Sequence, residues 1–94
     1  MEANKIIITG AATRMGAAIA KKLSGPGVEM VIHYNSSKSE AEKLQKELSK
    51  NKTKVYLVKG DLAKEQDLKK IIKFSKLKLK YFDCLINNAS LFEN

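Results

Sequence analysis

An α/β fold on a parallel, doubly wound sheet is what this sequence predicts, and three observations predict it. Apolar runs of strand length alternate with segments of helical periodicity, in the order β-α-β-α-β-α-β. The connections are long enough to be helices, as parallel neighbours require, and such crossovers are right-handed. The first run, Ile6-Ile7-Ile8, is continuously apolar rather than alternating, which suits a central strand covered on both faces. The expected architecture is a sheet of about four strands in the order 3-2-1-4, with helices on both faces, in one domain over residues 1–94.

The first strand is read from about Lys5 to Thr9. A helix follows from about Met15 to Ser24, and Gly25-Pro26-Gly27 ends it. The second strand is Val28 to Tyr34, with Glu29, its one charged residue, near its start. Asn35-Ser36-Ser37-Lys38 is a polar loop, and Ser39 with Glu42, or Ser37 with Glu40, has the pattern of a capping box. The helix behind it, to about Lys50, buries Ala41, Leu44 and Leu48. Asn51-Lys52-Thr53 turns into the third strand, Lys54 to Lys59, which Gly60-Asp61 closes. A long helix from about Lys64 to Leu79 is expected to turn Leu68, Ile71, Ile72 and Ser75 inward, and Cys84 to Asn87 forms the fourth strand.

Composition narrows the function classes. The formal charge is +8, nearly all of it lysine. Lys43, Lys46 and Lys50 lie at helical spacing on one polar side, as do Lys69, Lys70, Lys73, Lys76 and Lys80 on another. Without aromatic residues interleaved for base stacking, these are solvated helix faces, and nucleic acid is not an expected partner. No apolar run approaches the length of a membrane span, and the N-terminus leads directly into the first strand. A cytoplasmic protein without membrane association is expected. The single cysteine, Cys84, has no internal disulfide partner and is read as a small buried apolar residue.

Most of the functional signal lies between Ile6 and Gly16, where a buried strand enters a glycine turn and then an alanine-rich helix. Gly10 takes the tight turn, and Gly16 lets the helix start close to the strand beneath it. The N–H groups of the first turn, around Arg14 and Met15, point outward at the positive end of the helix dipole and suit a pyrophosphate. Arg14 is the only arginine, and its planar fork grips phosphate as an ammonium cannot. In open α/β sheets ligands bind at the carboxyl ends of the strands, where the order reverses. Each remaining motif falls at such an end. After strand two, an acid would bond the ribose 2′-hydroxyl and repel a 2′-phosphate. Here stand His33, Tyr34, Asn35, Ser36 and Ser37, with no acid before Glu40, so NADPH is favoured over NADH. The same residues also read as an ordinary turn and cap, which is compatible with a phosphate role. His33, a lone histidine, reads as a packed or backbone-bonded ring rather than an acid/base catalyst. Asp61 after strand three reads equally as a cap on the next helix or as a ligand contact.

The pattern Thr9-Gly10-Ala11-Ala12-Thr13-Arg14-Met15-Gly16 has Arg14 where the usual fingerprint has its middle glycine. It resembles the pteridine reductase branch of the short-chain dehydrogenase/reductase family. His33-Tyr34-Asn35-Ser36, Asp61-Leu62 and Asn87-Asn88-Ala89-Ser90 agree with that branch in order and spacing, including Ser90 where most short-chain reductases carry glycine. Bacterial 3-oxoacyl-carrier-protein reductases share much of this half. The resemblance implies a Rossmann-type half-fold and, in the complete enzyme, hydride transfer from NADPH to a pterin-like or carbonyl substrate. It implies that Asp61 contacts the adenine amino group and Leu62 adds backbone and apolar contact. Asn88, Ala89 and Ser90 would pass the nicotinamide ribose, with Ser90 also near the pterin and the cofactor phosphate, while Asn87 supports the sheet. A homo-oligomeric complete enzyme is expected.

The family works through a serine and a Tyr-x-x-x-Lys pair beyond the Asn-Asn-Ala motif, with tyrosine as general acid. These are not found in the 94 residues, which are therefore expected to form the cofactor-binding part of the enzyme and to be inactive alone. Tyr34-Asn35-Ser36-Ser37-Lys38 matches the pattern literally, but a strand end followed by a loop cannot place both residues on one helix. The alternatives left open are a stand-alone, non-catalytic nucleotide-binding module and part of a 3-oxoacyl-carrier-protein reductase-like enzyme. No metal site is read.

Overall fold

The structure, a computed structural model, describes residues 4–88, so Ala89 and Ser90 lie outside the described residues. In chain order its elements are β1 (Lys5–Thr9), α1 (Arg14–Leu23), β2 (Glu29–Tyr34), α2 (Lys38–Lys50), β3 (Lys54–Lys59), α3 (Glu65–Leu79) and β4 (Cys84–Asn87). The four strands form one sheet in the order β3-β2-β1-β4, and every neighbouring pair is parallel. This is the expected architecture.

The isoleucine run shows why β1 is central. Ile6 and Ile8 join Met30, Ile32, Ala20, Leu44 and Leu48 in the core on the α1/α2 face. Ile7, between them, points the other way and packs with Val31, Val58, Ile71 and Leu79 on the α3 face. Each fully buried isoleucine contributes about 1.5–3 kcal/mol of transfer free energy. A strand with both faces covered has no use for a polar alternate. Ala41, Leu44 and Leu48 are buried as their helical spacing requires. Glu29 begins β2 and pairs with Lys5 at 3.6 Å. At the same end Asp83 accepts bonds from the N–H groups of Asn4 and Lys5, at 3.1 and 3.0 Å, and joins β4 to the start of β1.

Three expectations change. Leu68 and Ile72 are 42% and 44% exposed rather than inward, whereas Ile71 and Ser75 are buried. The reason is placement: α3 packs on β2 and β3, so its flank overhangs β1 and β4. There Leu68 and Ile72, with Ile7, Phe82 and Leu85, line an open apolar groove of about 450 Å³. The capping box does not form either. Ser37 precedes α2 with φ −89° and ψ 61°, and the Lys38 N–H donates to the Ser36 carbonyl at 3.0 Å. That is an inverse γ-turn, which turns the Ser37 hydroxyl away from a cap bond. Cys84 is half-buried beside the α1/α2 core rather than enclosed in it. The lysines at 43, 46, 50, 69, 70, 73, 76 and 80 are all exposed. Among the described residues no helix is long and apolar enough to cross a membrane.

Candidate functional site

The carboxyl ends of the strands meet at the β1–α1 turn. Gly10 has φ 64°, a conformation that favours glycine. Its carbonyl accepts from the Thr13 N–H at 3.2 Å, the Thr13 hydroxyl at 2.8 Å and the Asn88 amide at 3.1 Å. Thr13 is the N-cap of α1, its hydroxyl accepting from the Gly16 N–H at 3.1 Å and from Asn88 Nδ2 at 3.0 Å. This extends the helix to Arg14, one residue earlier than its apolar pattern indicated. It also leaves Arg14 and Met15 at the first two helical positions, where N–H groups lie ahead of the intrahelical ladder. Gly16 is required by contact rather than torsion. A Cβ there would press on the Gly10 carbonyl oxygen and lie 2.7 Å from Ala11 Cα and 2.9 Å from Asn88 Nδ2. Arg14 and Met15 are exposed, and Arg14 forms no ion pair with another described residue.

At the end of β2, His33 does not face outward. It is 2% exposed, and both ring nitrogens are engaged. The Gly10 N–H donates to Nδ1 at 3.0 Å, so Nε2 carries the ring proton and donates to the Gly60 carbonyl at 2.8 Å. Burial lowers its pKa from the ordinary value of 6.5, against a smaller raising effect of the Gly60 bond. Among the residues read as facing a cofactor, His33 therefore sits beneath the turn. Tyr34 is also buried, whereas Asn35, Ser36 and Ser37 are exposed. Glu40, in the first turn of α2, is the first acid past the strand. Tyr34 ends β2 and Lys38 opens α2, so the literal Tyr-x-x-x-Lys match does not share a helix.

Asp61 follows β3, but the N-cap of α3 is Lys64. Asp61 instead caps the preceding turn, its Oδ1 accepting from the Ala63 N–H at 3.0 Å, while its own N–H donates to Asp67 at 2.8 Å. Leu62 packs against the core on the α3 face. Asn87 Oδ1 accepts from the Thr9 hydroxyl at 2.8 Å, a cross-strand bond between β4 and β1. Asn88 spends its amide on the β1–α1 turn, as given above. The site thus brings together Gly10, Arg14, Met15, Gly16 and Asn88, with Asn35, Ser36 and Ser37 at the neighbouring strand end. Thr13 was not singled out by sequence, although a threonine directly before a helix is a capping signal.

The donor set suits a dinucleotide phosphate. Gly16 keeps open a close approach that a methyl group would fill, the helix N-terminus is positive, Arg14 is exposed, and the β2 end has hydroxyl and amide groups without an acid. Comparison with known proteins gives the family. A family model described as short chain dehydrogenase matches residues 4–94. An uncharacterized oxidoreductase of Methylorubrum extorquens is 28% identical over 93 residues, which are 99% of this chain and 38% of that protein. A short-chain dehydrogenase from Oenococcus oeni superposes with a TM-score of 0.82 at 30% identity, covering 99% of this chain and 44% of that one. The FolM alternative dihydrofolate reductase 1 of Brucella canis, complexed with NADP, gives 0.80 at 30% identity over 94% of this chain and 35% of its own. The chain thus spans less than half the length of these relatives. With its glycine turn, strand order and family match in agreement, the chain belongs to the short-chain dehydrogenase family.

Proposed function

We propose that this chain forms the NADP(H)-binding part of a short-chain reductase, and that the whole protein reduces a pterin-like C=N bond or a carbonyl. The observation that carries the cofactor choice is the β2 end. Asn35, Ser36 and Ser37 are exposed there, no acid precedes Glu40, and the Ser37 hydroxyl is not used as a helix cap. The pterin-like substrate is supported by the Arg14 and Ser90 pattern and by likeness to an alternative dihydrofolate reductase complexed with NADP. In this reading the N–H groups of Arg14 and Met15 hold the pyrophosphate, and Ser36, Ser37 and the Arg14 guanidinium hold the 2′-phosphate. Asp61 and Leu62 flank the adenine, Asn88 keeps the turn in shape, and the family resemblance assigns Ala89 and Ser90 to the nicotinamide ribose. The bound cofactor supplies hydride, and the protein's task at this end is to fix its position. Proton donation belongs to residues outside the 94.

The test is a rate assay on the whole protein, following NADPH oxidation with dihydrobiopterin, folate and simple ketones in parallel. Turnover with NADPH on the pterin substrates is expected, and none from the 94 residues alone. NADH preference, or activity of the 94 residues that Tyr34→Phe abolishes, would contradict the reading.

A further inference from the structure

The buried imidazole of His33 links three strand ends. Its Nδ1 accepts from Gly10 of the β1–α1 turn, and its Nε2–H donates to Gly60, the residue that follows β3. Its own carbonyl accepts from the next turn residue, the Ala11 N–H, at 3.1 Å. Consecutive N–H groups of the turn are thus held by one residue, through its ring and its backbone. Only one neutral tautomer can do this. A proton added at Nδ1 would place an N–H donor against the Gly10 N–H donor, and that bond could not survive.

We propose that His33 is a positioning residue for the dinucleotide. Its neutral ring holds the β1–α1 turn in the phosphate-binding shape, and protonation releases the turn and weakens cofactor binding. The ionisable groups on the surrounding elements are Arg14 at the start of α1, Tyr34 beside it on β2, Lys59 and Asp61 flanking Gly60, and Asp67 on α3. None of them bonds the ring, and Asp67 is engaged by the Asp61 N–H at 2.8 Å. The state of the ring is therefore set by its burial and by its two backbone partners. This role rests on the NADP(H) reading above, and it adds a dependence on proton concentration that the phosphate contacts alone do not contain.

Thermodynamic linkage makes the test possible in the unaltered protein. If protonation of His33 weakens cofactor binding, bound cofactor must lower the His33 pKa by the same factor. His33 is the single histidine of the 94 residues, and its signals are assigned in the protein by their loss in His33→Asn. Its ring nitrogens are followed by NMR in the protein labelled with 15N-histidine, from pH 8 to 5, with and without saturating NADP+. The Nε2–H tautomer is expected at pH 8, with a pKa that moves down when NADP+ binds. In parallel, NADP+ affinity should fall below the apparent ring pKa by up to about tenfold per pH unit. The 2′-phosphate of the ligand titrates near pH ~6 as well, so the informative quantity is the difference between this profile and that of His33→Asn, which should be shallower. An Nδ1–H tautomer overturns the inference, as does a His33 pKa unchanged by bound NADP+, and either leaves the cofactor reading standing. Absence of NADP+ binding at any pH removes both.

Discussion

Replacing Gly16 by alanine tests the construction of the turn, because opposing effects of known size meet there. Alanine in a helix is favoured over glycine by about 0.8–1 kcal/mol. Against this, the new Cβ would stand 2.7 Å from Ala11 Cα, about 0.8 Å inside the ~3.5 Å at which two carbons rest in contact. Two of its three neighbours, the Gly10 carbonyl and Ala11 Cα, are backbone and cannot rotate aside. Overpacking of this kind costs about 1–3 kcal/mol, so the net loss is about 1 kcal/mol and at most about 2. In the 94 residues taken alone that lowers Tm by about 4–8 °C per kcal/mol, and in a domain of about 150–250 residues by about 2–4 °C. The binding effect should be larger. Relief requires α1 to move outward, which carries the Arg14 and Met15 N–H groups away from the phosphate and displaces Asn88 from Gly10 and Thr13. A shift of ~0.8 Å takes a ~2.9 Å bond outside hydrogen-bonding range, so NADPH affinity should fall by more than about tenfold. Gly25 is the control: a Cβ there meets nothing within 4 Å, and Gly25→Ala should be neutral or stabilising by about 0.4–1 kcal/mol. Thermal melts and NADPH titrations of both variants decide the matter. Equal stability and equal affinity in the two would refute the close-approach role of Gly16.

Other outcomes follow from the same geometry. Arg14→Ala should remove a charge-assisted contact worth about 1.5–3 kcal/mol, raising the NADPH Kd about 10- to 100-fold, and Arg14→Lys should restore only part of it. Burial lowers the folded-state pKa of His33 below the unfolded value near 6.5, so its contribution to stability is complete above that pH. It is lost as pH falls from about 6.5 through the folded pKa, with a slope of at most about 1.4 kcal/mol per pH unit. Urea midpoints for the parent and His33→Asn across pH 5–8 would expose this, and parallel curves would argue against it. In a sample of the 94 residues alone, Leu85, 56% exposed on β4 at the edge of the described sheet, is expected to promote self-association. Sedimentation of Leu85→Lys should therefore show less association than the parent, and an unchanged distribution would remove that role.

How much was legible in the sequence depends on the range of the interaction. The isoleucine run placed β1 at the centre because a strand covered on both faces has no alternation, and Gly16 was legible because a glycine pair at a strand-to-helix junction has few other uses. Local patterns said less about what lies opposite. Helical spacing put Leu68 and Ile72 on the apolar side of α3 but could not reveal that α3 overhangs β1 and β4. Ser37 and Glu40 had the spacing of a capping box, yet the γ-turn at Ser37 decided the backbone first. The junction of Gly10, Thr13 and Asn88 joins residues more than 70 positions apart, and no local pattern contains it. His33 reads in the sequence as a packed or backbone-bonded ring, and its partners, Gly10 and Gly60, emerge only with the sheet register.

The central claim is that this turn and the neighbouring end of β2 accept a dinucleotide with a 2′-phosphate. It is tested most directly by measuring NADP+ and NAD+ affinities side by side for the parent protein and for Ser36→Asp, which introduces an acid at the strand end. Binding of NADP+ at least about tenfold tighter than NAD+ is predicted, as one lost charge-assisted contact already amounts to that factor. The preference should shrink or reverse in Ser36→Asp. Equal affinities in the parent, tighter NAD+ binding, or a preference untouched by the new carboxylate would contradict the account.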